Sequence, residues 1–193
     1  RNSMEKVWSW YDVMNVHDYI KVYEDTVDKN LCDALMVADL DWKSSSFSSH
    51  EKVHEDSEDR VIMDDVWIHK DNNFYNPLKD CFIKAIRQYE YEFPLFLCEH
   101  TTDFRINRYS QGGFMSRHID NIHHSHGQKW GYPHVSALLY LNDDYSGGEF
   151  VVADKEIKPK KGSSIIFPSN FMYPHEAKTV TKGIRWSVVA WLM

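Results

Sequence analysis

The chain has 193 residues, 42% of them apolar and 26% charged, which suits one globular domain with a full core and excludes wholesale disorder. No run approaches the roughly 18 apolar residues of a membrane-crossing helix, and the N-terminus lacks the hydrophobic stretch of a signal peptide. Asp and Glu number 29 against 22 Lys and Arg, and the resulting net charge of −7 makes duplex nucleic acid a poor partner.

Arg1, Asn2 and Ser3 precede Met4, read as an expression remnant, and leave 4–193 as the expected single domain. Within it, 4–100 is expected to form helical and mixed support, and 101–193 the core. Residues 19–23 alternate as a short strand. Residues 28–40 then predict an amphipathic helix capped by Asp28, with Leu31, Leu35, Met36 and Leu40 at helical spacing. Serine and charge dominate 43–60, which predicts a flexible loop. A second helix is predicted over 76–90, with Leu78, Cys81, Phe82, Ala85 and Ile86 on one face and Pro94 beyond its end. Cys32, Cys81 and Cys98 contain no CxxC spacing and read as reduced, mostly buried thiols.

From Thr102 onward the pattern changes to short strands. They are predicted at 104–109, 114–119, 134–141, 149–152, 163–167, 175–180 and 184–192, with a brief one at 155–157. Turn residues separate them: Gln111-Gly112-Gly113, Asn142-Asp143-Asp144, Gly147-Gly148 (read as a hairpin turn), 159–162 and Lys182-Gly183. Strands that follow one another without intervening helices exclude a doubly wound α/β fold. The expected class is α+β: a double-stranded β-helix (jelly-roll) core with the N-terminal helices packed on one face.

His118-Ile119-Asp120 is the sharpest chemical signal, because strand residues i and i+2 point to one side. Alone, the triplet is equally a surface pair. His175 begins a later strand that a jelly roll can return beside the first. Two imidazoles and a carboxylate on one face make the facial triad of non-haem Fe(II) oxygenases. Arg185 lies ten residues after His175, in an otherwise apolar strand, with Ser187 on the same face. A buried guanidinium beside a hydroxyl suits the far carboxylate of 2-oxoglutarate, because Arg grips a carboxylate with two parallel hydrogen bonds.

These residues sit in a series of motifs: Arg-Tyr-Ser-Gln-Gly-Gly-Phe-Met-Ser-Arg-His-Ile-Asp (108–120), Ser-Ala-Leu-Leu-Tyr-Leu-Asn (136–142) and Gly-Gly-Glu-Phe (147–150). Gly-Ser-Ser-Ile-Ile-Phe-Pro (162–168), Pro-His-Glu-Ala (174–177) and Thr-Lys-Gly-Ile-Arg-Trp-Ser (181–187) follow. In order and spacing, 105–192 resembles the Fe(II)/2-oxoglutarate-dependent dioxygenases, in the prolyl 4-hydroxylase-like branch of bacterial or phage type. The resemblance implies His118, Asp120 and His175 as iron ligands and Arg185 as the 2-oxoglutarate anchor. It also implies Tyr109 beside the iron and cosubstrate, and Tyr140 with its hydroxyl at the distal carboxylate. As isolated strand residues, both tyrosines read equally well as core aromatics.

The implied cofactors are Fe(II), 2-oxoglutarate and O₂, with ascorbate as a possible reductant and L-ascorbic acid binding as a family property. The implied reaction is hydroxylation coupled to decarboxylation of 2-oxoglutarate to succinate. The implied partner is a Pro-containing peptide or protein, and net negative charge suits a neutral or basic one. No Arg or Lys follows Arg185 in 186–193, which argues against a nucleic-acid demethylase. A free amino acid or small metabolite stays open as substrate, as does a non-catalytic metal-binding jelly roll. His123, His124 and His126 read as loop residues near the pocket mouth, and Trp130 and Tyr132 as residues that cover the substrate. The loops 43–60 and 121–133 are the expected lids. Lack of targeting signals suggests a cytoplasmic enzyme of a bacterium or phage-infected cell, of undetermined oligomeric state.

Overall fold

The computed structural model describes residues 15–47, 59–121 and 131–193. Val16–Tyr19 is a 3-10 turn, so the expected first strand begins only at β1, Lys21–Tyr23. Helix α1 (Lys29–Val37) starts where the sequence marks it, because the Asp28 carboxylate accepts from the backbone N–H groups of Asn30 and Leu31. Helix α2 (Tyr75–Glu92) carries Pro77 in its first turn, where no N–H is needed, and ends just before Pro94.

Between the helices lie β2 (Lys43–Ser44), β3 (Val61–Ile62) and β4 (Asp64–Ile68). Lys43 and Ser44 therefore depart from the expected loop: their backbone pairs with Asp65 and Asp64 of β4. Of the rest of that loop, 48–58 lies outside the described residues. The second half supplies β5 (Phe104–Tyr109), β6 (Phe114–His118), β7 (Val135–Tyr140), β8 (Ser146–Gly147), β9 (Phe150–Val152), β10 (Lys155–Ile157) and β11 (Ser164–Pro168). It closes with β12 (His175–Ala177), β13 (Val180–Lys182) and β14 (Arg185–Leu192).

Among the described residues these strands form two main antiparallel sheets, ordered β1-β11-β7-β14-β5-β4-β2 and β10-β9-β12-β6-β3. A β13-β8 pair forms a third, smaller unit. The span 175–180, expected as one strand, is thus two: β12 stays in the five-stranded sheet, and β13 leaves it to pair with β8. Gly147-Gly148 correspondingly is no simple hairpin turn, since β7 and β9 belong to different sheets.

Alternation along the strands puts buried side chains on both faces of the seven-stranded sheet. Trp186, Val188, Ala190 and Leu192 of β14 join Leu35 of α1 and Leu78, Phe82, Ala85 and Ile86 of α2 on one side of the seven-stranded sheet. Both α-helices therefore cover one face, as expected, and Trp186 faces away from Arg185. On the other side, Val189 and Trp191 of β14 join Leu138, Tyr140, Phe150, Val152 and Phe167 between the sheets. Cys32 and Cys81 are buried and Cys98 half-buried, all three unbridged. No described helix is long and apolar enough to cross a membrane.

Candidate active site

Two strands of the five-stranded sheet bring the histidines together. His118 ends β6, His175 begins β12, and the two are direct register partners with rings 4.3 Å apart. Asp120 lies two residues beyond His118, with Oδ1 3.6 Å from His118 Nε2 and Oδ2 3.3 Å from His175 Nε2. The ligand atoms of all three lie within 4.8 Å of one another, close enough to hold one metal ion.

The surrounding groups orient each donor. His118 Nδ1 meets the Ser116 carbonyl at 2.8 Å, and His175 Nδ1 meets the Tyr173 carbonyl at 3.1 Å. A carbonyl can only accept, so both Nδ1 atoms carry a proton, and both Nε2 atoms face Asp120. Ser136 on β7 donates to Asp120 Oδ2 at 2.6 Å, and its oxygen also bonds Ser169 Oγ at 2.8 Å. Burial, together with the neighbouring His175, lowers the proton affinity of His118. Burial on its own would raise the Asp120 carboxyl, but His175 and His118 more than reverse this and hold it well below the usual range. His175 is raised, because Asp120 outweighs the burial that opposes its charge. An ionised carboxylate and two imidazoles with inward Nε2 atoms fit a divalent iron.

The seven-stranded sheet supplies the other end. Arg185 is 1% exposed on β14, opposite Tyr109 of β5, and Ser187 stands opposite Tyr140 of β7. The guanidinium donates to Tyr140 Oη at 3.0 Å and to Ser187 Oγ at 3.4 Å, and lies 4.8 Å from the Tyr109 ring centre. Burial works against its charge, but the Tyr140, Tyr109 and Tyr145 oxygens more than offset it. Among the described residues no carboxylate pairs with Arg185, and its buried Nε has no partner. A sealed cation without a counter-charge is costly, and a bound dicarboxylate would supply that charge. Gly148 leaves room for this side chain: at φ +64°, a Cβ there would sit 3.2 Å from Arg185 Cδ and 2.9 Å from Val180 Cγ2.

The structure thus brings together His118, Asp120 and His175 in one cluster, and Arg185, Ser187, Tyr140 and Tyr109 in another. Tyr132 is exposed in the segment before β7, as is His134. His123, His124, His126 and Trp130, with most of the 121–133 loop, lie outside the described residues. Sequence reasoning missed Ser136 as the partner of Asp120, and Phe47, whose ring lies 5.9 Å from that of His118. It also missed Arg60, stacked over Phe47 at 4.4 Å and bonded to Ser116. No local pattern marks these three, since each contact spans a long stretch of chain.

Residues 104–193 match the family described as the 2OG-Fe(II) oxygenase superfamily. That match spans just under half of the chain. The family implies Fe(II), 2-oxoglutarate and O₂ as cofactors. Human prolyl 3-hydroxylase 2 is 48% identical over 63 residues, 29% of this chain and 9% of that protein. A PKHD-type hydroxylase of Rippkaea orientalis is 37% identical over 92 residues, 45% of this chain and 40% of the relative. The chain therefore spans less than half the length of either curated relative. In fold it resembles the viral collagen prolyl hydroxylase of Paramecium Bursaria Chlorella virus-1, with a TM-score of 0.66 and 18% identity. That similarity covers 92% of this chain and 98% of the viral one, and the double-stranded β-helix is common to both.

Proposed function

We propose that the chain is a 2-oxoglutarate-dependent dioxygenase that hydroxylates a prolyl residue in a peptide or protein. Residues 4–193 would act as one domain, cytoplasmic, with His118, Asp120 and His175 holding Fe(II). Arg185, with Tyr140 and Ser187, would hold the distal carboxylate of 2-oxoglutarate, and Tyr109 would close the cosubstrate pocket beside it. Ascorbate is the reductant we assign to keep the metal ferrous. The observation that carries this reading is the 1%-exposed guanidinium of Arg185, with no carboxylate partner among the described residues, on the sheet opposite a His-Asp-His cluster. A simple metal-binding jelly roll has no use for such a cation. The prolyl substrate rests on the similarity to a prolyl 3-hydroxylase and on the fold shared with a collagen prolyl hydroxylase.

Bound iron, with 2-oxoglutarate and O₂, supplies the oxidising power: the keto acid leaves as succinate and CO₂, and one oxygen atom ends on the substrate carbon. The protein's own residues position and exclude. The two Nδ1–H bonds to carbonyls fix the imidazole planes, and Ser136 fixes the carboxylate of Asp120. Phe150 and Phe167 pack against His175 at 5.7 and 4.9 Å between ring centres and keep water from that side.

The test is succinate formation in air with Fe(II), ascorbate and Pro-containing peptides, with wild type beside His175→Ala and Arg185→Ala. Peptide-stimulated turnover that both substitutions abolish, with hydroxyproline detected by mass spectrometry, is the expected result. Tight metal binding with no 2-oxoglutarate consumption would overturn the oxygenase reading. Turnover that no peptide affects would overturn the prolyl-peptide assignment.

A further inference from the structure

A second buried cation lies outside the cluster described so far. On β5, Phe104 and Ile106 pack toward the helices, so Arg105, Asn107 and Tyr109 face the five-stranded sheet. Tyr109 is level with Arg185, Asn107 with Ser187, and Arg105 with Val189. Arg105 is therefore four strand residues from the Arg185 level, roughly 13 Å at 3.3 Å per residue. It lies toward the metal end. Its guanidinium is 5.0 Å from the ring centre of Trp191, which is the register partner of Ser136, and Ser136 in turn bonds Asp120.

Arg105 is 8% exposed and Asn107 4%, yet neither has a hydrogen-bonding or ionic partner among the described residues. Arg105 Nε and Asn107 Oδ1 are both sealed from solvent and unpaired. Asp65, beside Asn107 on β4, forms no ion pair with Arg105. The indole faces of Trp191 and Trp67 (6.0 Å) support the guanidinium from the side but accept none of its hydrogen bonds. Arg is donor-only, and the orphaned Asn atom is an acceptor. Among the described residues nothing supplies the anion and the N–H that this pair would take.

Resting on the oxygenase reading above, we propose that Arg105 and Asn107 form a substrate-selecting pair at the metal end of the pocket. They take a substrate that carries a carboxylate next to a peptide N–H. Such a carboxylate has two sources in a peptide: an acidic side chain beside the target residue, or the C-terminus itself. The pair is separate from Arg185, so the substrate's carboxylate and that of 2-oxoglutarate do not compete.

The test is calorimetry without O₂, in saturating Mn(II) and 2-oxoglutarate, with two pairs of probes. Acetyl-Pro-Gly acid against its amide reads the C-terminal source; acetyl-Pro-Asp-amide against acetyl-Pro-Asn-amide reads the side-chain source. One acid is expected to bind roughly 10- to 100-fold tighter than its neutral twin, the range of a charge-assisted hydrogen bond. Arg105→Gln should erase that preference and Arg105→Lys retain part of it, while both variants keep the wild-type Kd for 2-oxoglutarate. The acid–amide comparison in wild type stands even if a variant fails to fold. Equal or absent binding within both pairs overturns the inference, as does a preference that survives Arg105→Gln. A fall in 2-oxoglutarate affinity in Arg105→Lys would overturn it too, by assigning Arg105 to the cosubstrate. Failure of wild type to bind 2-oxoglutarate would instead remove the oxygenase reading, and this inference with it.

Discussion

Ser136 on the seven-stranded sheet donates to the carboxylate of Asp120, the residue that lies between the two histidines of the other sheet, across 2.6 Å. Both side chains are buried, so no water replaces the bond freely. Removing the hydroxyl with Ser136→Ala should free the carboxylate to rotate and weaken metal binding roughly 10- to 100-fold, the usual effect of losing an orienting partner. Competition titration with a chelating dye measures this; unchanged affinity would show that the bond does not orient the ligand.

The pH dependence of metal binding follows from His175. Asp120 raises its proton affinity, so its pKa in the folded chain lies above the ordinary 6.5. A metal needs the neutral ring, so below that raised pKa each metal ion must displace a proton. Affinity should therefore keep climbing as pH rises beyond 6.5, by up to about tenfold per unit. Metal titrations between pH 5.5 and 8.5 check the slope, and a plateau already reached below pH 6.5 contradicts it. In the metal-free protein the same raised pKa stabilises the fold below the unfolded value of His175, and that contribution disappears as pH rises through the folded one.

Arg185→Gln removes the charge but keeps a polar side chain, and 2-oxoglutarate affinity should fall roughly 10- to 100-fold while metal affinity holds. Gly148→Ala tests the same anchor indirectly. Its Cβ would press on Val180 and on Arg185 Cδ at a backbone angle unsuited to alanine. It should lower 2-oxoglutarate affinity in the same direction, along with thermal stability. Equal 2-oxoglutarate binding by all three proteins would show that the anchor lies elsewhere.

Stability should depend most on the layer between α2 and the seven-stranded sheet. Phe82 is 1% exposed and stacks on Phe104 with ring centres 5.0 Å apart. Phe82→Ala should reduce unfolding free energy by about 3–5 kcal/mol in urea titration, through lost burial and the cavity left behind. Metal affinity of the folded fraction should not change, since this layer lies on the far side of the sheet from the histidines.

What was legible in the sequence was whatever local spacing encodes. His118 and Asp120 share a face by the two-residue repeat, as do Arg185 and Ser187, and Asp28 and Pro94 bracket real helix ends. The helix predicted over 28–40 ends earlier in the structure, at Val37, where nothing local in the sequence marks a stop; Leu40 still packs on the core from beyond the helix end. The two-residue strands β2, β3 and β8 are too short for any alternation to register. The break between Ala177 and Val180 was invisible for another reason: both halves have strand composition, and only the partner β8 shows where one sheet is left. Arg105 and Ser136 escaped notice because their meaning comes from strands far away in the chain.

That break has a further consequence. The eleven residues from His175 to Arg185 carry the chain from one sheet of the sandwich to the other, with one cluster at each end. A ligand gripped at both clusters would act as a removable staple across the sandwich. Its binding should slow amide exchange in β12 and β14 together, and a one-residue deletion at Thr181 or Lys182 should shorten the tether and decouple the two.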